Sequence, residues 1–227
     1  MIGTDDYNKL PLVFDAATLF DAQLASAGIT RNQLFDKLAP LFVDGNGTSQ
    51  YAACLIHHHY DLKPGERMVS TNLTTKPLAM ESTEFNSSPV NVIAHCWLRT
   101  GEAIEYRLIS ESNLPKSTQS FPPPPPAEFF GKFRALLEPM GIDVLGICYA
   151  DSELEDGFIS LETDGPGDRE RVFTIIPRSE KPAPGYEVTW IPKYSEDGQS
   201  YKMICACNCT DGCNKHAPYL CRALVRN

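Results

Sequence analysis

The chain has 227 residues, of which 42% are apolar, 22% charged and 10% aromatic, enough for one substantial core of ordinary globular composition. A formal net charge of −9, with no basic run longer than a pair, excludes a phosphate-backbone binder, so neither nucleic acid nor an anionic membrane is an expected partner. No stretch reaches the roughly 20 apolar residues that span a bilayer, and the polar start MIGTDDYNKL is not a secretory signal. The expected location is the cytoplasm, where the eight cysteines would mostly be thiols or metal ligands, and the sequons at Asn46, Asn72, Asn86 and Asn208 would be chance triplets.

Two helices are predicted first. In DAATLFDAQLASAG, Asp15 is placed to N-cap, Ala16, Leu19, Phe20 and Leu24 share a face, and Gly28 suits a left-handed stop. The next opens on a capping-box pair, Thr30 and Gln33, with Ile29 and Leu34 at hydrophobic-staple positions, and continues through Phe35, Leu38 and Phe42. Together they form a predicted helical hairpin over one side of a sheet. After the DGNG turn, TSQYAACLIHHHYDLKPGE reads as a third helix, N-capped by Thr48, with Ala52, Leu55, Ile56 and His59 at helical spacing. A short apolar run of this kind also fits a strand. PVNVIAHCWLRTGEAIEYRLI is a hairpin turning at Thr100-Gly101, which sets Arg99 beside Glu102, Trp97 beside Ile104 and His95 beside Tyr106.

Residues 112–127 form a Pro-rich surface crossover. Its run Pro122–Pro126 is locked in polyproline II and offers a docking motif for a protein partner, with a linker role preferred. AEFFGKFRALLEPMG is an amphipathic helix with Phe129, Phe130, Phe133, Leu136, Leu137 and Met140 on one side. IDVLGICYA, GFISLE, RVFTIIP, YEVTWIP and YKMICAC read as strands. Helices followed by a strand-rich half predict a single α+β domain over 1–227, with the N-terminal helical hairpin and further helices packed on a mainly antiparallel sheet.

The last hairpin turns at Asp197-Gly198. A two-residue loop there sets Trp190 opposite Cys205 and Val188 opposite Cys207, and places Met203, Cys205 and Cys207 on one buried face. Within the Cys/His-rich stretch 205–221, Cys209, Cys213, His216 and Cys221 offer three thiolates and one imidazole, a structural zinc set. The order Cys-Cys-His-Cys is similar to that of a zinc knuckle, although the spacings depart from it. A disulfide staple, a thiol nucleophile with His216 as base, or a solvated loop of inert thiols competes with zinc for the same residues.

HHHYDLKPGE carries the second candidate. On a strand, His57 and His59 would share a face and could ligate a metal with His95 and with Glu66 or Asp61. That order is similar to the ligand order of cupin metalloenzymes, whose glycine and proline landmarks fall elsewhere in this chain. On the preferred helix, His57 and His59 diverge by about 200° and do not chelate one ion, and His95 becomes a core histidine. There is no dinucleotide fingerprint and no GxSxG elbow, and GPGD lacks the Lys-Ser/Thr of a phosphate loop. The expectation is a soluble intracellular binding or scaffolding protein with a structural zinc in its tail. The alternative is a metal- or thiol-dependent enzyme acting on a small molecule, with a pocket near His57, His59 and His95.

Overall fold

The run YAACL, expected to be helical, is a strand (β1, Tyr51–Leu55) buried on both faces. Tyr51, Ala53 and Leu55 point to a core under the helices, while Ala52 and Cys54 join a second apolar cluster with Met68, Cys96, Cys148 and Ile204. Period-two alternation divides any strand between two faces. When both faces are buried the run becomes continuously apolar, and the alternation that marks a strand disappears. That is why this segment resembles a helix in sequence.

The computed structural model describes residues 2–43, 49–71, 74–79, 91–109, 123–150, 154–167, 169–183, 185–195 and 198–208. After the short α1 (Thr4–Tyr7), α2 (Val13–Ser26) and α3 (Arg31–Phe42) come β1, β2 (Glu66–Ser70), β3 (Thr74–Ala79), β4 (Asn91–Trp97) and β5 (Ala103–Ile109). Then follow α4 (Ala127–Leu137), β6 (Leu145–Tyr149), β7 (Phe158–Asp164), β8 (Arg171–Pro177), β9 (Tyr186–Pro192) and β10 (Tyr201–Cys207). The ten strands close into one barrel in the order β1-β6-β4-β5-β2-β3-β8-β7-β10-β9. The seam is the β1–β9 pairing, Ala53 opposite Trp190 and Cys54 opposite Thr189. Only β2–β5 and β7–β10 run parallel. The expected α+β fold, a helical hairpin on a mainly antiparallel sheet, is therefore overturned. The sheet closes on itself, and the helices cover only part of its outer wall.

The locally encoded helices form, although α2 starts at Val13 with Leu12 as its N-cap, so Asp15 lies in the first turn and is not the expected cap. Thr30 and Gln33 make a complete capping box at α3, and Gly28 ends α2 with φ +66°. Ala16, Phe20, Leu24, Phe35 and Leu38 are buried, and Phe20 and Phe35 sit 5.6 Å, centroid to centroid, from the Trp190 ring of β9. Leu19, expected on the buried face, is exposed. Phe129 and Phe133 of α4 meet Phe42 edge-on, and Phe129 also meets Tyr51. The Tyr51 hydroxyl donates to the Pro123 carbonyl at 2.7 Å, Pro125 is buried and Pro126 N-caps α4. These contacts tie that end of the proline run to the barrel, and Pro122 lies outside the described residues.

Both hairpins form, but with other registers. Trp97 pairs with Ala103, Cys96 with Glu105 and Ala94 with Tyr106, with irregularities between Ala94 and Cys96 and between Cys96 and Trp97. The turn is longer than expected, since Gly101 N donates to Leu98 O with φ +92° at Gly101. In the second hairpin Trp190 faces Met203, not Cys205, and Tyr186 faces Cys207. The Lys193–Ser200 backbone bond closes a loop wider than two residues, and two bulges shift the register between Met203 and Ala206. Bulges break side-chain alternation. Met203, Ala206 and Cys207 thus pack under the helices, Ile204 faces the inner cluster, and Cys205 lines the lumen. Cys207 is disulfide-bonded, an exception to the expected thiols or metal ligands, while Cys54, Cys96 and Cys148 are free thiols. Among the described residues no helix is long and apolar enough to cross a membrane.

Candidate metal centre

A barrel interior is filled by one side chain in two from each strand. Here most inward positions are small or apolar, which leaves a cavity of about 140 Å³. Gly146 on β6 keeps the packing tight on one side. A Cβ there would lie 2.4 Å from the Trp97 carbonyl and 2.2 Å from Ile56 Cδ1. The polar remainder gathers at one place. After β1 the chain leaves the ladder at Ile56, and the next residues turn two imidazoles together, with the His57 and His59 rings 4.7 Å apart. The helical expectation that they diverge is corrected: both are buried and both line the cavity.

Glu162 on β7 and Glu105 on β5 complete the group. Ser160 and Glu162 line the cavity while Ile159 and Leu161 face the helices, so strand alternation delivers Glu162 inward. Glu105 reaches inward because the β4–β5 irregularity sets it opposite Cys96. His59 lies between the two carboxylates, with Nε2 3.3 Å from Glu105 Oε1 and Nδ1 3.3 Å from Glu162 Oε1. Burial disfavours its cation, but Glu162 and then Glu105 outweigh burial and raise the His59 pKa to about 9. Glu105 is held below its ordinary value: burial pushes it up, and the charge and hydrogen bond of His59 pull it down further. Tyr7 of α1 covers this pair, its hydroxyl donating to Glu105 at 3.5 Å and accepting from the His59 amide at 3.4 Å.

His57 is the opposite case. Burial, reinforced by the neighbouring His59, lowers its pKa to about 3, so the ring is neutral. Nδ1 lies 2.9 Å from the Leu55 carbonyl, which only accepts, so the proton is on Nδ1 and Nε2 carries a lone pair. Among the described residues that Nε2 is buried with no hydrogen-bond partner, whereas His59 Nδ1 has the ion-pair contact to Glu162. A buried polar atom left unsatisfied costs about 1–3 kcal/mol. His57, His59 and Glu162 each present a ligand atom within 4.8 Å of the other two, and this group could hold a metal ion. The outer contacts are those of metal-bound imidazoles, one N–H on a backbone carbonyl and the other on a carboxylate.

The other expected residues are distributed differently. His95 lines the same cavity and is bonded through Nε2 to Arg107 of the facing strand, so it is not opposite Tyr106, and its Nδ1 has no partner among the described residues. Glu66 pairs with Arg169 at 2.8 Å, and Asp61 is exposed beside His58, so neither belongs to the site. Cys209, Cys213, His216 and Cys221 lie outside the described residues. Three thiols the sequence left unconnected, Cys54, Cys96 and Cys148, converge on the lumen, with Cys54 and Cys96 sulfurs 3.3 Å apart. Hydrogen bonds from Cys148 and Cys96, with burial, hold Cys54 well above its ordinary pKa. Cys96 is lowered by its bond to Cys54, yet burial and Glu105 prevail and push it up to about 11. Protonated thiols are poor nucleophiles. Comparison with protein families, with curated proteins and with solved structures gives no significant match.

Proposed function

We propose that this protein is a metal-dependent enzyme that acts on a small molecule inside its barrel, with the ion held by His57 Nε2, His59 Nδ1 and the Glu162 carboxylate. One observation carries the reading: a neutral buried imidazole whose tautomer is fixed by Leu55, whose Nε2 has no hydrogen-bond partner among the described residues, and which shares a cluster of ligand atoms within 4.8 Å with His59 and Glu162. Two imidazoles and one carboxylate, with no thiolate, suit zinc, manganese or ferrous iron. Three protein ligands leave coordination positions open, where an ion polarises a carbonyl or lowers the pKa of a bound water. The cavity that these residues share supplies room for such a ligand. A structural zinc on Cys209, Cys213, His216 and Cys221 is a separate proposal about the tail. Chelator-treated protein dialysed against Zn²⁺, Mn²⁺ or anaerobic Fe²⁺ tests both. The lumen site predicts one ion per chain that survives combined serine replacement of Cys209, Cys213 and Cys221 and is lost in Glu162→Gln. Metal uptake unchanged in Glu162→Gln overturns the lumen assignment.

A further inference from the structure

We propose that the lumen also contains a subsite for the carboxylate of a small organic acid, formed by Arg107 and His95. Arg107 follows Glu105 by two residues on β5, so both side chains leave the strand on the same side, about 7 Å apart. Both line the cavity, together with His95 of β4 and Ser70 and Thr71 beside β2. Arg107 Nη2 lies 3.4 Å from His95 Nε2. A guanidinium only donates, so His95 Nε2 is the acceptor and the imidazole proton sits on Nδ1. Burial, with Arg107 beside it, keeps this ring neutral.

The donor inventory then fails to close. His95 Nδ1–H and Arg107 Nε–H are both buried, and among the described residues neither has a hydrogen-bond partner. The nearby carboxylates are committed elsewhere: Glu105 to His59 and Tyr7, and Glu162 to His59. Arg171, whose side chain is fully buried, is paired with Asp164 and lies over the Tyr60 ring. Arg107 therefore stands as a cation at the cavity wall, held by His95 at one Nη, with a buried Nε–H that has no partner and no paired anion among the described residues.

Charge points the same way. A divalent ion on the triad is balanced by Glu162 and Glu105, which leaves the charge of Arg107 for a ligand to neutralise. The planar fork of the guanidinium matches the two oxygens of a carboxylate and a single negative charge. Phosphate brings more acceptor oxygens and more charge than this wall satisfies. The carboxylate subsite stands on Arg107 and His95 alone; that the acid's other end faces the ion rests on the proposed metal centre.

Calorimetric titration of metal-free and metal-loaded protein with acetate, malonate and succinate tests the subsite, with succinamide and inorganic phosphate as controls. At least one acid is expected to bind saturably, and succinamide to bind roughly tenfold or more weaker than succinate, since it lacks the charge that Arg107 would pair. Arg107→Gln is expected to weaken the acid by roughly tenfold or more while leaving metal stoichiometry intact. Should Arg107→Gln not fold, the acid–amide comparison on the native protein decides. Saturable binding of none of the acids, equal binding of acid and amide, or phosphate binding more tightly than every acid overturns the proposal. Acid binding without metal uptake would remove the metal centre and leave the subsite standing. Metal uptake without acid binding would do the reverse.

Discussion

Metal uptake by this barrel should release a proton, and the amount is fixed by His59. In the metal-free protein Glu162 and Glu105 hold the His59 pKa at about 9, and burial holds His57 at about 3. The ion needs the lone pair on His59 Nδ1, while Nε2–H stays on Glu105. At about pH 7 His59 is therefore protonated and His57 is not, so each ion displaces close to one proton. Two pH units below the pKa, that competition weakens the apparent affinity roughly 100-fold, about 2.7 kcal/mol, relative to pH well above 9. Calorimetry in buffers of different ionisation enthalpy reads the number directly. About one proton per ion is expected near pH 7, falling to about half near pH 9, with apparent affinity rising roughly tenfold per pH unit until it levels off. Glu105→Gln removes one of the two carboxylates that raise the His59 pKa, and should lower the proton release measured near pH 8. Zero protons released near pH 7 would refute the placement of His59 as a ligand.

Other outcomes follow from the same geometry. The raised His59 pKa contributes stability fully present below the unfolded value of about 6.5 and lost as pH rises through about 9. The depressed His57 pKa contributes stability present above about 6.5 and lost as pH falls toward 3, so denaturant unfolding of metal-free protein should show a maximum near pH 6.5. Gly146→Ala should destabilise the barrel by about 1–3 kcal/mol or more in chemical denaturation, because the added carbon meets the Trp97 backbone oxygen at 2.4 Å and that atom cannot swing aside. Cys54, Cys96 and Cys148 should resist alkylation in native protein, read by mass mapping, and react only on unfolding.

What was legible in the sequence is what local chemistry encodes. The capping box at Thr30 and Gln33 and the apolar face of Phe129, Phe133 and Leu137 need no distant partner to be read. Barrel closure depends on pairings such as Ala53 with Trp190, far apart in sequence, and it erases the alternation of YAACL by burying both faces. Reading that stretch as a helix separated His57 from His59, which hid the site. Glu162 carried one weak signal, an acidic residue in the strand FISLETD whose apolar neighbours Ile159 and Leu161 both face the helices. Finding it required knowing that the other face is also enclosed. Glu105 was hidden by register, because the β4–β5 irregularity moved it opposite Cys96 and turned it inward.

The ligand set itself is open to one spectroscopic measurement, optical absorption of the protein loaded with a single equivalent of Co²⁺. Coordination by His57, His59 and Glu162 predicts weak visible bands and no thiolate-to-metal charge-transfer band in the near ultraviolet, with the visible bands abolished in Glu162→Gln. In protein carrying combined serine replacement of Cys209, Cys213 and Cys221, a strong thiolate charge-transfer band that persists in Glu162→Gln would place the ion on cysteine sulfur and contradict the His57, His59 and Glu162 ligand set.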